Sequence, residues 1–240
     1  MVPDIVAARK FYASVTDWTF VDTGPRFGHF QMCRVGDRNA AGMGATMTPA
    51  CPAGWTVYFA SEDIEATAAL IVESGGSFLL EPTAVGDVCH VAVARDNLGV
   101  LFGVFEAGSS IGFEVMGEPG ALVWQSGSFT DVARARQFYG AVFGHGFAEI
   151  PPLDPQLYGG FTVGGEVIGA TVCAPEGAPN GWTAVIAVAD VDEAVDVASG
   201  GGATVLRPPE DTPFGRMSTL ADPFGAVFAV HGENSGRVCA

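Results

Sequence analysis

Two polar side chains stand inside strand-like apolar stretches and are the first candidates for chemistry: His90 in DVCHVAVA and Arg216 in RMSTLA. An imidazole exchanges its proton near neutral pH, so His90 could serve as a general acid or base. A buried guanidinium without a partner costs on the order of several kcal/mol, so Arg216 should pair with a carboxylate, a ligand anion or water. Asp211 and Glu210 on the preceding loop are candidate partners.

The two residues occupy matching positions of an internal repeat, and alternation along a strand sets each on one face of its sheet. If those faces are concave, we expect His90 and Arg216 to be the catalytic or ligand-contacting groups. The alternative left open is that each lies on the outer face and bonds a loop or water.

Other reactive motifs are missing from the sequence. It contains no GxSxG elbow and no phosphate-binding glycine loop. The five cysteines, at 33, 51, 89, 173 and 239, form no CxxC pair, and Cys89 should point away from the adjacent His90. Of the remaining histidines, His29 is expected in a turn, His145 in packing and His231 at a strand end.

The composition excludes whole classes of partner. The 240 residues carry 11 Lys and Arg against 27 Asp and Glu, for a net charge of −16. Such a chain lacks the basic surface that binds nucleic acid and would be repelled by anionic membranes. No stretch approaches the ~20 apolar residues that span a bilayer, and no secretory signal is recognisable. We therefore expect a cytoplasmic protein, monomeric or homodimeric, whose partner is a small molecule.

An internal repeat organises the whole chain. PDIVAARKFYASVTDWTF (3–20) resembles TDVARARQFYGAVFGHGF (130–147) at an offset of 127. The same offset aligns Trp55 with Trp182, and an offset of 126 aligns DNLG (96–99) with DPFG (222–225). Register maintained over a hundred residues indicates a tandem duplication.

Each copy shows the same series of elements. A helix with one buried face begins after Asp4 or Asp131, and a second begins at Asp63 or Asp190, where a carboxylate can cap the first turn. Short β-type runs surround these helices. The pairs Phe11-Tyr12 and Phe138-Tyr139 are interpreted as helix core or module packing. Each copy thus contains two β-α-β-β-β units.

The motifs D-x-x-x-A-x-x-FY and DPFGAVF, with the strand-Asp-helix step at 183–190, resemble the vicinal oxygen chelate superfamily of glyoxalase I, extradiol dioxygenases and bleomycin-resistance proteins. The resemblance covers essentially the whole chain. It implies an α+β fold of tandem modules, each with two βαβββ units forming a cup-shaped mixed sheet around a ligand site.

The resemblance also locates the positions that hold a divalent ion in metal-dependent members. They correspond here to Trp124 on the first strand, to Thr56 and Thr183, and to Gly103 and Ala229. None is a histidine or carboxylate, the groups such ions require. We therefore expect no metal and no other cofactor, and we expect Trp124, Gln125, Thr56 and Thr183 to contact substrate instead.

The predicted domain boundaries follow the repeat: module one is 1–106, the linker is 107–119 and module two is 120–240. Module two has a strand-like segment, ALVWQSGSF (121–129), before its first helix. Module one has no counterpart, which predicts either a shortened N-terminus or a missing first strand, and an unprotected sheet edge favours the former.

Two functions fit these features. The first is an enzyme acting on an apolar or aromatic metabolite without the usual metal, in a specialised biosynthetic pathway. The alternative is a non-catalytic protein that binds or sequesters a small molecule, as antibiotic-resistance members of the superfamily do.

Overall fold

A computed structural model describes residues 1–46, 53–151, 153–174 and 180–234. The chain is α+β, with four α-helices among these residues. The helices are α1 Ile5–Thr16, α2 Ile64–Glu73, α3 Val132–Phe143 and α4 Val191–Gly200. None of these helices is long and apolar enough to cross a membrane.

Fifteen strands are present in the same described part of the chain. In module one they are β1 Thr19–Asp22, β2 Gln31–Val35, β3 Arg38–Met43, β4 Tyr58–Ser61, β5 Ser77–Val85, β6 Cys89–Arg95 and β7 Leu101–Ala107. In module two they are β8 Leu122–Phe129, β9 Gly146–Ala148, β10 Tyr158–Val163, β11 Glu166–Cys173, β12 Gly181–Ala187, β13 Thr204–Thr212, β14 Gly215–Ala221 and β15 Val227–Gly232.

The four helices begin where the sequence predicts. Asp4, Asp63, Asp131 and Asp190 are the N-caps, and each carboxylate accepts the backbone N–H three residues later at 2.9–3.0 Å. A carboxylate there satisfies a free N–H group and suits the positive end of the helix dipole. These caps confirm the predicted helix starts.

The compact units of the structure cut across the sequence modules. Unit 1 consists of Met1–Trp55, Phe113–Trp124 and Ala184–Ala240, as far as these are described, and unit 2 of Thr56–Gly112 and Gln125–Thr183. Each unit therefore combines half of one module with half of the other. The division into 1–106 and 120–240 stays a prediction about the repeat along the chain.

Unit 1 is built on α1 and α4. Its sheets follow the orders β1-β2-β3 and β13-β14-β15-β12, the latter with β12 and β15 parallel. The core joins apolar residues of both helices to the strands beneath them, including Phe11, Val15, Val191, Ala198 and Phe228.

Unit 2 is built on α2 and α3. Its strands follow the orders β4-β7-β6-β5 and β8-β11-β10-β9, with the β4–β7 and β8–β11 pairs parallel. Strands β8 and β12 each contribute residues to both units. The core joins both helices to the strands, including Ile71, Phe102, Phe129, Phe138 and Tyr139.

The first strand of module one has only a trace in the described residues. Ahead of α1, Val2 forms an isolated parallel bridge with Ala45, whereas β8 precedes α3 as a full strand. This agrees with the predicted difference between the modules.

Candidate functional site

The strands of unit 2 have one face covered by helices. Ala92, Ala94, Phe102 and Val104 are fully buried in the core that includes α2 and α3. Because successive strand residues point to opposite faces, the intervening residues of β6 and β7 lie on the side away from the helices.

His90 lies on the helix-covered side, in line with Ala92. Its Nδ1 is 3.1 Å from Glu106 Oε1, and Glu106 Oε2 accepts the backbone N–H of Ile64, the first residue of α2, at 2.7 Å. The imidazole thus helps to hold the carboxylate that caps α2. The expectation that His90 faces a ligand cup is not met, and we assign it no catalytic role.

Arg216 is engaged in the same way at the start of α4. Its Nε and Nη2 donate to the two oxygens of Asp192 at 2.8 Å each, and its Nη1 donates to Asp211 Oδ1 at 2.9 Å. Asp211 was one of the two expected partners. The hydrogen bonds to Asp192 and then Asp211 raise the pKa of the guanidinium above its ordinary value. Arg216 joins β14 to α4, so the expected ligand-binding role is not met either.

The four predicted substrate-contacting residues are divided between the two units. Trp124 belongs to unit 1, whereas Gln125, Thr56 and Thr183 belong to unit 2. Gln125 lies across β11, because a Cβ added to Gly169 would be 2.8 Å from its Cγ. Thr183 follows the buried Trp182 and therefore points to the opposite side of β12. Their contact with substrate stays a prediction.

The residues present do not fit a divalent ion. Threonine hydroxyls are weak neutral donors, and tryptophan, glycine and alanine supply no side-chain ligand. At Gly103, an added Cβ would overlap Cδ1 of the Tyr58 ring, so the structure has no room for a larger side chain at that position. Among the described residues no group of three His, Cys, Asp or Glu could hold a metal.

The ring that blocks Gly103 marks an open surface. Tyr58 pairs with Gly103 across the β4–β7 ladder, and its side chain crosses β7 at the glycine. Alternation places Val91 and Val93 of β6 and Phe105 of β7 on the same side, all partly exposed. We call the surface formed by Tyr58, Val91, Val93, Gly103 and Phe105 the Tyr58 face.

The phenol of Tyr58 is the polar group of this face. Tyr58 is 44% exposed, and its hydroxyl makes no hydrogen bond within the described part of the chain. Desolvation by apolar surroundings, with a smaller contribution from the nearby Cys89 thiol, raises the pKa of the phenol. It is therefore protonated at neutral pH and able to donate a hydrogen bond.

The equivalent place in unit 1 is closed. By the repeat, Tyr58 corresponds to Val185 and Gly103 to Ala229, and these two pair across the β12–β15 ladder. Val185 is 1% exposed and Ala229 is 3% exposed. Only the unit 2 position offers a ligand an exposed aromatic ring. The two copies of the repeat thus differ at these paired positions, with Tyr and Gly in one and Val and Ala in the other. The search for motifs did not detect this difference in the sequence.

Two equivalent networks fix the aromatic residues of the repeat. In unit 1, Trp55 Nε1 donates to the hydroxyl of Tyr12 at 3.0 Å, and that hydroxyl donates to Asp222 Oδ2 at 2.9 Å. In unit 2, Trp182 Nε1 donates to Tyr139 at 2.8 Å, and Tyr139 donates to Asp96 Oδ2 at 3.0 Å.

The aspartates also hold the turns of the DPFG and DNLG motifs. Asp222 Oδ1 accepts the N–H groups of Phe224 and Ala226, and Asp96 Oδ1 accepts those of Leu98 and Val100. Burial raises the pKa of Asp96, and burial next to a carboxylate raises the pKa of Tyr139. Tyr12 and Tyr139 are almost fully buried, so these networks serve packing and do not reach a ligand.

The other histidines also have structural environments. His29 Nδ1 lies 3.0 Å from Asp22 Oδ2, and His231 Nε2 lies 2.8 Å from the carbonyl oxygen of Phe214. His145 packs against Phe143 and Phe161, and burial lowers its pKa to about 4. The expected packing role of His145 agrees with these contacts.

A cavity beside Tyr12 in unit 1 is too small for a metabolite. Its volume is about 20 Å³, which is room for one water molecule. Its walls include Trp18, Cys33 and Trp55. This cavity is therefore excluded as a metabolite site.

Known proteins resemble the chain over nearly its full length. It is 30% identical over 235 residues to "Putative glyoxylase CFP32" of Mycobacterium tuberculosis, covering 95% of this chain and 90% of that protein. It is 32% identical over 248 residues to the anthracycline biosynthesis protein DnrV of Streptomyces peucetius, covering 95% and 89%.

Solved structures show the same fold at low identity. The 2,3-dioxygenase LapB from Pseudomonas sp. KL28 matches 99% of this chain and 91% of its own, with 14% identity and a TM-score of 0.66. The Mn(II)-bound glyoxalase from Novosphingobium aromaticivorans matches 97% and 79%, also with 14% identity and a TM-score of 0.66.

A family model agrees with both sets of relatives. The model described as Glyoxalase/Bleomycin resistance protein/Dioxygenase superfamily matches residues 128–230. With relatives at 30–32% identity across 95% of its length, the chain belongs to this superfamily, as the vicinal oxygen chelate resemblance predicted.

Proposed function

We propose that the chain is a small-molecule enzyme of the vicinal oxygen chelate superfamily that binds an apolar or aromatic metabolite on the Tyr58 face and acts on it without the usual metal. The observation that carries the proposal is the open Tyr58 face itself. It offers one partly exposed phenol among valine and phenylalanine side chains, and small-molecule sites combine an apolar surface with a few placed polar groups in this way.

The relatives support a role in specialised metabolism. One of them is named as an anthracycline biosynthesis protein, and anthracyclines are planar aromatic compounds. An apolar surface that carries an aromatic ring suits stacking and offset contacts with such a molecule. An acidic chain with 27 Asp and Glu further favours a neutral ligand over an anionic one.

The chemistry available on this face is positioning by apolar contacts together with a protonated phenol. Tyr58 could orient an oxygen atom of the substrate or donate a proton to it. No step through a metal ion is included, because the donor set at the family positions does not fit one.

The alternative is binding without turnover. It is favoured by one observation: on β4, β6 and β7, alternation places no carboxylate or imidazole beside Tyr58 that could act with it as an acid–base pair. A sequestering protein needs only affinity, which the face can supply.

Native mass spectrometry of protein purified from its host tests the proposal. We expect one apolar or aromatic compound per chain and no stoichiometric Zn, Fe, Mn or Ni. Incubating the identified compound with fresh protein and following it by chromatography then separates the two functions. Conversion supports the enzyme, and an unchanged compound supports sequestration. One metal ion per chain, lost on Thr183→Ala, would overturn the metal-free proposal.

A further inference from the structure

We infer that the hydroxyl of Tyr58 anchors a carbonyl oxygen of an aromatic ligand bound on the Tyr58 face, which makes Tyr58 the residue that sets specificity for oxygenated ligands. This inference rests on the proposed function. It adds a hydrogen bond from the Tyr58 hydroxyl and names aromatic carbonyl compounds as the class of ligand that accepts it.

The geometry begins with the absence of a side chain at Gly103. The three ring atoms Cγ, Cδ1 and Cε1 of Tyr58 lie 2.3–2.6 Å from the place where a Cβ of residue 103 would be. Real Cβ atoms do not tolerate such distances, so glycine is what allows the ring to lie across β7. The ring is thereby held over the backbone of β7. This limits the positions that the hydroxyl group can take.

The hydroxyl is left available for a ligand. In the described part of the structure the Tyr58 oxygen has no hydrogen-bond partner, and the residue is 44% exposed. A protonated phenol in an apolar setting prefers an acceptor, and a hydrogen bond made there is electrostatically stronger than the same bond in water.

The side chains on the same side of the sheet as Tyr58 favour a neutral, apolar ligand. Val91, Val93 and Phe105 carry no charge, and the guanidinium of Arg95, two residues after Val93, donates to the carbonyl oxygen of Gly99 at 2.9 Å. A carbonyl oxygen on an aromatic framework matches this combination of apolar surface and single donor.

The experiment compares two ligands that differ only in that oxygen. 9-Fluorenone and fluorene share a planar aromatic framework, and only the ketone has a carbonyl. Saturation-transfer NMR titrations would measure binding of each to the full chain and to Tyr58→Phe. We expect the wild type to prefer fluorenone by about 3- to 10-fold, the value of one net hydrogen bond, and the variant to bind both equally.

A second variant tests the same contact by a different route. Gly103→Ala keeps the hydroxyl but adds a Cβ where the ring lies, so Tyr58 must move. We expect the fluorenone preference to fall at least 2-fold, with thermal unfolding recorded to show that the fold is retained.

The outcomes separate the two claims. A fluorenone preference that persists in Tyr58→Phe overturns the role of Tyr58 and leaves the proposed function standing. Equal binding of both ligands by the wild type also overturns the role of Tyr58 and leaves the proposed function standing. Binding of neither ligand up to its solubility limit contradicts the proposed function, and the inference falls with it.

Discussion

At the residue scale, period-two alternation correctly grouped the strand residues but did not reveal which face meets the helices. His90 does share a face with Ala92, and Arg216 shares one with Ser218, yet both faces turn towards helices. Apolar and polar residues alternate along such a strand in the same way whether the buried side faces the helices or the opposite side of the sheet. Reading each strand by itself missed Tyr58, because the position of its ring depends on a glycine 45 positions away on the paired strand.

The burial of His145 predicts a pH-dependent loss of stability. Its pKa is about 4 in the folded chain against an ordinary value of 6.5 when exposed. Between these values the unfolded chain binds more protons, so the free energy of unfolding should fall as pH is lowered from about 7 to 4 and then level off. The contribution is on the order of 1–3 kcal/mol.

Urea unfolding of wild type and His145→Phe at pH 7, 5.5 and 4.5 measures this contribution. The stability difference between the two proteins should change in favour of the variant as the pH falls. A difference that stays constant over this range would contradict the assignment.

The buried tyrosine of unit 2 predicts a second stability effect. Tyr139→Phe removes the donor to Asp96 and the acceptor of Trp182 while leaving the ring volume unchanged. Leaving buried polar groups unpaired should lower the free energy of unfolding by about 1–3 kcal/mol. Chemical denaturation measures it, and Tyr58→Phe, which removes a hydroxyl that has no hydrogen-bond partner in the described part of the chain, is the matched control.

At the element scale, local signals predicted the four helices and the β-α-β-β-β order, because caps and periodicity are properties of neighbouring residues. The four aspartate caps and the βαβββ order needed no knowledge of distant contacts. Neighbouring residues could not specify the contacts between strands and helices. The hydrogen bond from Arg216 on β14 to Asp192 on α4 is an example.

That connection predicts a structural phenotype for Arg216. Arg216→Gln should lower the free energy of unfolding modestly, because the ion pairs with two carboxylates are lost and Asp192 is itself partly solvated. Fluorenone affinity should remain within 2-fold of wild type. A large loss of affinity with unchanged stability would restore a ligand-binding role for Arg216.

At the whole-molecule scale, the repeat itself concealed how the chain divides. Both modules contain the same series of elements. The sequence pattern therefore allows the first half of module one to pack with the second half of module one or with the second half of module two. The structure places α1 with α4 and α2 with α3. The choice depends on packing between distant segments, which periodicity does not encode.

This arrangement predicts how the chain behaves when it is divided. Fragments 1–109 and 110–240 each contain half of both units, so neither should unfold cooperatively alone. Co-expressed, they should form a 1:1 complex with wild-type thermal unfolding. Size-exclusion chromatography and calorimetry check this, and two independently stable fragments would contradict the division into units.

The tyrosine–aspartate bonds have a consequence for how the two copies could diverge. Tyr12 of the first copy depends on Asp222 of the second, and Tyr139 of the second depends on Asp96 of the first. A change at any of these positions is therefore felt by a partner encoded in the other half of the gene, which constrains both halves together. Tyr58 and Gly103 lie in the same copy and contact each other, so this pair was free to change by compensating substitutions without disturbing Val185 and Ala229. The duplication that the repeat predicts would leave one copy able to change at Tyr58 and Gly103 while the shared framework is held in common.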